Sequence, residues 1–299
     1  MENITAWIKS HKITVILIAG LVVLGGLGLF GLNKITSKPA GPVDETDLTF
    51  DSEGPYAILS PRRDGNALVL NLKRTSSYDA ISYELAYTSK VDETVVKGNK
   101  ISEDGEGQSK AGTIDRGVVG SIDTKEKKGE YEQEILFGTC SKNVCKYDKG
   151  VENGTLTLHI KKGNIAYKMN TQWHLQQPDV ALGILTSGDA HLTYKVDADR
   201  VALSNVGFSI INDLTGLPKL PSGKTISGKV YSLNIPLAKD LPAGQITIEL
   251  AENPASDTKI YRYNPNKSEW KELDTKIDGS KLSAKSDGAG IFTVLTSKK

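Results

Sequence analysis

Residues Ile13 to Leu32, ITVILIAGLVVLGGLGLFGL, contain no charged side chain and a single hydroxyl, Thr14. Twenty residues at a rise of about 1.5 Å make a helix of about 30 Å, the thickness of a hydrocarbon core. A helix this long in a soluble core needs a polar face, and this run has none. It predicts a transmembrane helix over residues 13–33. The rival is a cleaved signal peptide, whose apolar region is shorter, about 7–15 residues, and ends at a small-x-small site. Here Asn33, Lys34 and Ile35 follow, with no A-x-A pattern and no cysteine to carry a lipid. An uncleaved signal anchor is therefore expected. Lys9 and Lys12 precede the run and Lys34 and Lys38 follow it. With so short a leader and so long a C-terminal part, the expected orientation places residues 1–12 in the cytoplasm and the C-terminal domains outside it. No two glycines of the run stand four apart, so a GxxxG seam is absent. Gly25, Gly28 and Gly31 are read as glycines that a membrane helix tolerates.

Residues 34–50, with Pro39, Gly41 and Pro42, read as an extended extracytoplasmic stalk. Beyond them the hydrophobic period changes to two. Ile81, Tyr83, Leu85 and Tyr87 alternate with Ser82, Glu84, Ala86 and Thr88. Leu68, Leu70 and Leu72 repeat the pattern, as do Leu156, Leu158 and Ile160, and Ile246, Ile248 and Leu250. Ile291 to Thr296 reads as a buried strand of β-branched and aromatic residues. Turn signals fall between the strands at Asp64-Gly65, Asn153-Gly154, Lys162-Gly163, Pro265-Asn266, Asp278-Gly279 and Asp287-Gly288. No sustained 3.6-residue period follows the apolar run. The expectation is an all-β ectodomain of two immunoglobulin-like β-sandwiches, residues 51–165 and 166–299. One larger sandwich with excursions is the alternative. Residues 90–129, rich in charge and glycine, read as a long hairpin excursion or a partly disordered loop.

The chain has 299 residues, with 37 Lys+Arg against 36 Asp+Glu and a formal net charge of +1. Four lysines against Glu2 place +3 in residues 1–38, leaving −2 for the remainder. That balance argues against a general nucleic-acid binder.

Cys140 and Cys145 enclose SKNV. Two cysteines with no histidine at ligand spacing do not make a zinc site, and C-x4-C is not a thioredoxin-like redox pair. Outside the cytoplasm they are expected to close a hairpin as a disulfide, stabilising by about 2 kcal/mol because the loop is short. His11, His159, His174 and His191 form no metal-spaced pair. Asp189, Asp197 and Asp199 offer carboxylates that could hold a structural calcium ion, or simply face solvent. No P-loop, dinucleotide fingerprint, HExxH or G-x-S-x-G elbow occurs, and no cofactor is expected. Tyr261, Tyr263 and Trp270 are the candidate binding surface, whereas Tyr83 and Tyr87 are read as core.

Three local resemblances follow from particular residues. His191-Leu192-Thr193 is similar to the His-Leu-Thr step of the self-cleaving domains of adhesion-type receptors, although the flanking cysteines and tryptophans of those domains are missing. The C-terminal stretch SLNIPLAKDLPAGQITIEL, KIYRYNPNKSEWKEL and KLSAKSDGAGIFTVL resembles ZU5-type β-sandwich modules of bacterial cell-surface proteins. Tyr83-Glu84-Leu85-Ala86-Tyr87 is more loosely similar to fibronectin type III and other immunoglobulin-like folds. The ZU5-type resemblance implies an assembly or binding unit. The expected function is therefore a non-catalytic binding, adhesion or envelope-assembly module at the cell surface. The expected partners are the membrane, crossed once, and an envelope or cell-surface protein or glycan, with no nucleic acid. The alternative is a membrane-tethered hydrolase or a self-processing surface protein.

Overall fold

A computed structural model describes residues 45–48, 54–90, 112–126, 128–142, 144–176, 183–198, 206–237 and 239–298. The expected leader, transmembrane helix and most of the stalk lie outside the described residues, as does Asp199. Among the described residues no helix is long and apolar enough to cross a membrane.

Among the described residues the regular elements are twenty strands. The first eight are β1 (Glu45–Asp47), β2 (Tyr56–Pro61), β3 (Ala67–Lys73), β4 (Ala80–Lys90), β5 (Thr113–Ile122), β6 (Glu130–Leu136), β7 (Gly138–Ser141) and β8 (Val144–Tyr147). Next come β9 (Asn153–Lys162), β10 (Ile165–Gln176), β11 (Ile184–Thr186), β12 (Leu192–Val196), β13 (Ser209–Asp213) and β14 (Lys224–Asn234). The last are β15 (Gly244–Glu249), β16 (Lys259–Asn264), β17 (Glu269–Glu272), β18 (Thr275–Asp278), β19 (Lys281–Ser286) and β20 (Gly290–Ser297). The long sheet runs β17-β16-β20-β14-β13-β10-β9-β4-β5, with β1 added parallel to β10. Two smaller sheets run β11-β12-β15-β19-β18 and β2-β3-β6, and β7-β8 is a separate hairpin. Apart from β1–β10, the strand pairs are antiparallel. The fold is all-β, as the period-two patterning requires.

Alternation decides which face is buried. In β4 Ile81, Tyr83, Leu85 and Tyr87 are buried, and in β9 so are Leu156, Leu158 and Ile160. These residues meet Leu59, Leu68, Leu70 and Leu72 of β2 and β3 in one core. A second core joins Leu192, Tyr194, Ile246, Ile248 and Leu282 of the five-stranded sheet to Tyr231, Ile260 and Phe292 of the long one. Each fully buried Leu or Ile contributes roughly 1.5–3 kcal/mol. β20 is buried from Gly290 to Leu295 because the five-stranded sheet covers one face and a third cluster, including Tyr56, Leu217 and Ile291, covers the other.

Strand pairing shows where the expected boundary and one of the turn signals fall. The boundary drawn at residues 165/166 falls at the start of β10, in one hairpin with β9 that turns through Gly163. The first core instead spans residues 57–175 plus Ile210, and the second 185–294. Asn153-Gly154, read as a turn, opens β9: Gly154 pairs with Tyr87 on one side and Trp173 on the other. A Cβ on Gly154 would lie 2.4 Å from the Trp173 ring and 2.3 Å from the Ala86 carbonyl oxygen. The glycine serves this close approach, beside which Phe137 packs edge-to-face on Tyr87 and tilted against Trp173, at centroid distances of 5.0 and 5.6 Å. The excursion after β4 is a hairpin, β4 pairing with β5 from Ile81–Ile122 to Lys90–Thr113.

Candidate functional site

A cleft of about 600 Å³ opens where the three-stranded sheet meets the end of β16, the start of β20 and the segment after β14. Its position depends on how β2 is held. Among the described residues β2 pairs with β3 alone, so its other edge presents bare backbone groups that must find partners. Two asparagines from the long sheet supply them. Asn212 Nδ2 donates to the Ala57 carbonyl at 3.0 Å, and its Oδ1 accepts from the Leu59 N–H at 3.3 Å. Asn234 Nδ2 donates to the Leu59 carbonyl at 2.9 Å and to Ser232 Oγ at 2.7 Å. Asn212 is 1 % exposed, so these bonds are not exchanged for water.

The cleft walls follow from this clamp. Asn71 and Ile58, opposite one another in β3 and β2, form one side. Arg262 of β16 stands on the other, its Nε and Nη2 both donating to the Ala289 carbonyl at 2.9 and 2.7 Å. Asn264 Oδ1 accepts from the N–H groups of Asn266 and Lys267 and fixes the turn at the rim. Leu237, 65 % exposed, stands at the cleft as an unburied apolar side chain. Asp287 is held below the usual carboxylate range by its bond from Lys271. Amides, a fixed guanidinium, carboxylates and one apolar contact suit a ligand with many hydrogen-bonding groups. The lining contains no histidine or cysteine.

The residues singled out from sequence are placed as follows. Tyr261 offers no ring face: it is 5 % exposed, under Lys224, with its hydroxyl on Glu272 directly across the β16–β17 pair. Burial, and then that carboxylate, push its phenol pKa up. Tyr263 and Trp270 are half-buried, their rings 5.2 Å apart, packed on the third cluster, and the Trp270 indole donates to the Lys219 carbonyl at 2.9 Å. The expected aromatic surface is thus mainly a seal over the core. Cys140 and Cys145 are directly opposed in β7–β8 and disulfide-bonded, closing the expected hairpin.

Asp189 is committed within the protein. It accepts from Ser187 Oγ at 2.6 Å, the His191 N–H at 3.2 Å, Lys229 Nζ at 2.8 Å and the Tyr231 hydroxyl at 2.9 Å. Burial alone would raise its pKa, but these donors together hold it well below the ordinary range. Asp213 nearby moves the other way, raised by burial. Two carboxylates with divergent pKa values are the pattern of an acid–base pair. The cavity between them is about 10 Å³, however, room for one water at most, and so this is a packed polar joint. Asp197 lies on a different cleft. Among the described residues no group of three or more His, Cys, Asp or Glu is arranged to hold a metal ion. Leu192 and Thr193 lie in a regular ladder between β11 and β15, and His191 is exposed at its start.

The Asn212 and Asn234 clamp was not read from the sequence. Its one signal is a polar residue after two β-branched apolar residues in Ile210-Ile211-Asn212, a buried strand position that demands a partner.

No protein-family model and no curated protein sequence matches the chain. Among solved structures, dimeric latent PorU from Porphyromonas gingivalis is similar at 9 % identity and a TM-score of 0.18, over 83 % of this chain and 29 % of that one. The chain thus spans less than a third of that protein's length.

Proposed function

We propose that this chain is a membrane-anchored, non-catalytic module that binds or assembles with another cell-envelope component, a protein or a glycan. The apolar run Ile13–Leu32 is its single-pass anchor, with the N-terminus cytoplasmic and the β-rich part outside. The two cores are its two immunoglobulin-like sandwiches, the second akin to ZU5-type modules. A disulfide in an exposed hairpin fits an oxidising compartment. The observation that carries the reading is the cleft at the junction of the sheets, of ligand size, with strand residues of β2, β3, β6 and β16 on its walls and the segments after β14, β16 and β19 around them.

The test uses the full chain in bacterial membranes, captured on isolated envelope fragments. Wild type is expected to be retained, and Leu237→Asp combined with Asn71→Arg, which charges and fills the cleft, is expected to lose retention while keeping its melting temperature. Retention unchanged in that double variant would count against the cleft. External protease that spares the β-rich part in sealed, right-side-out cells but digests it after lysis would count against the orientation.

A further inference from the structure

The outer face of the five-stranded sheet carries a second cleft, of about 440 Å³. Alternation turns Tyr194, Ile246, Ile248 and Leu282 inward, and leaves polar residues outward on three adjacent strands. Lys195, Gln245 and Lys285 lie side by side across β12, β15 and β19. In the next row Thr193, Thr247, Ser283 and Lys276 continue onto β18. Lys195, Lys276 and Lys285 are exposed, and none is in an ion pair among the described residues. The contrast is on the same face: Lys281, beyond the cleft, is 3.6 Å from Glu249. Asp197 and Asp274 also line the cleft, in ion pair with none of the three lysines among the described residues. Strands about 4.8 Å apart put the roots of Lys195 and Lys285 about 10 Å apart. The diagonal from Lys276 to Lys285 is about 7–8 Å.

We infer that this face binds an anionic polysaccharide, with its charged groups on Lys195, Lys276 and Lys285 and its sugar hydroxyls on Gln245, Thr247 and Ser283. Lysines on flexible stems are point charges that accept carboxylate, sulfate or phosphate alike. The interleaved hydroxyls and amide are both donors and acceptors, which is what a sugar requires. A single-stranded nucleic acid would want aromatic platforms for its bases, and neither row supplies one. The spacing suits charges carried one or two sugar rings apart. This site deepens the binding reading by naming a ligand class, and it is separate from the junction cleft.

Purified full-length protein is titrated with polygalacturonate and heparin, with dextran as the neutral polymer and inorganic polyphosphate as the sugar-free polyanion. The expected result is binding to polygalacturonate and heparin that weakens with added salt, and none to dextran. Lys195→Gln with Lys285→Gln should weaken binding roughly tenfold or more, Lys276→Gln alone by less, and Lys281→Gln should leave it unchanged. Melting temperatures confirm that each variant is folded. The inference is overturned if neither sugar polyanion binds, if the double variant binds as wild type does, or if polyphosphate binds as tightly as the sugar polymers. Leu237→Asp with Asn71→Arg should leave polyanion binding intact. Envelope retention that survives a failed polyanion titration would sink this site and spare the junction cleft.

Discussion

Replacing Asn212 by alanine should strip β2 of one of its two asparagine clamps, leaving the Asn234 bond to the Leu59 carbonyl. The side chain makes four hydrogen bonds: from the Leu59 N–H, and to the Ala57 carbonyl, Thr171 Oγ1 and the Asp213 carbonyl, the last two at 3.1 Å. Thr171 keeps a partner after the change, because its hydroxyl donates to the Asp213 carbonyl at 2.5 Å. The Leu59 N–H and Ala57 carbonyl do not, and both residues are essentially inaccessible, at 0 % and 1 % exposure. Each buried backbone group left unpaired costs about 1–3 kcal/mol, so the two together should cost about 2–6 kcal/mol. That is a large part of a typical total of about 5–15 kcal/mol. Urea unfolding followed by tryptophan fluorescence is the assay. With a slope of about 2–3 kcal/mol per molar, the midpoint should fall by roughly 1.5 M at unchanged slope. A fall corresponding to less than about 1 kcal/mol would refute the reasoning, since β2 would then be held by side-chain packing alone.

Three further outcomes are expected. Gly154→Ala should cost about 1–3 kcal/mol by driving a Cβ into the Trp173 ring, seen as a lower melting temperature with a changed near-ultraviolet dichroism of the Tyr87–Phe137–Trp173 stack. Asp189 has a folded pKa below its ordinary 3.8, so the stability it contributes is present above about pH 4 and is lost as the pH falls through the folded value. Asp213, raised by burial, has the opposite sign and is relieved by acid. Melting curves of Asp189→Asn should therefore lie below wild type at pH 7 and converge on it toward pH 2; parallel curves would refute the assignment. Cys140→Ser with Cys145→Ser should cost about 2 kcal/mol at most, because the bridge closes a short loop, and hydrogen exchange should quicken in β7–β8 and not in β9–β10.

Local patterning carried most of the strands. β4 and β9 were legible because one face is buried and the other wet, so Ile81, Tyr83, Leu85 and Tyr87 declare their own face. Gly154 was misread because a glycine after asparagine signals a turn, while here the missing Cβ makes room for a ring that follows it by 19 residues. Tyr261 looked exposed for the same reason of scale. Its cover comes from β17 and the start of β14, and the carboxylate that takes its hydroxyl belongs to a neighbouring strand. The junction cleft was invisible because the bonds that make it join residues more than 150 positions apart, Leu59 with Asn212 and with Asn234. No local period encodes such a pairing; only the buried polar residue in Ile210-Ile211-Asn212 hints at it.

The most direct test of the proposed binding function places a photo-crosslinking amino acid at Leu237, on the junction cleft, in the 299-residue chain expressed in cells. Val144, 74 % exposed on the disulfide hairpin and not among the cleft-lining residues, is the control position. Illumination should yield a discrete adduct with an envelope component from position 237 and none from 144. No adduct at 237, or the same adducts from both positions, would contradict a binding site in the cleft.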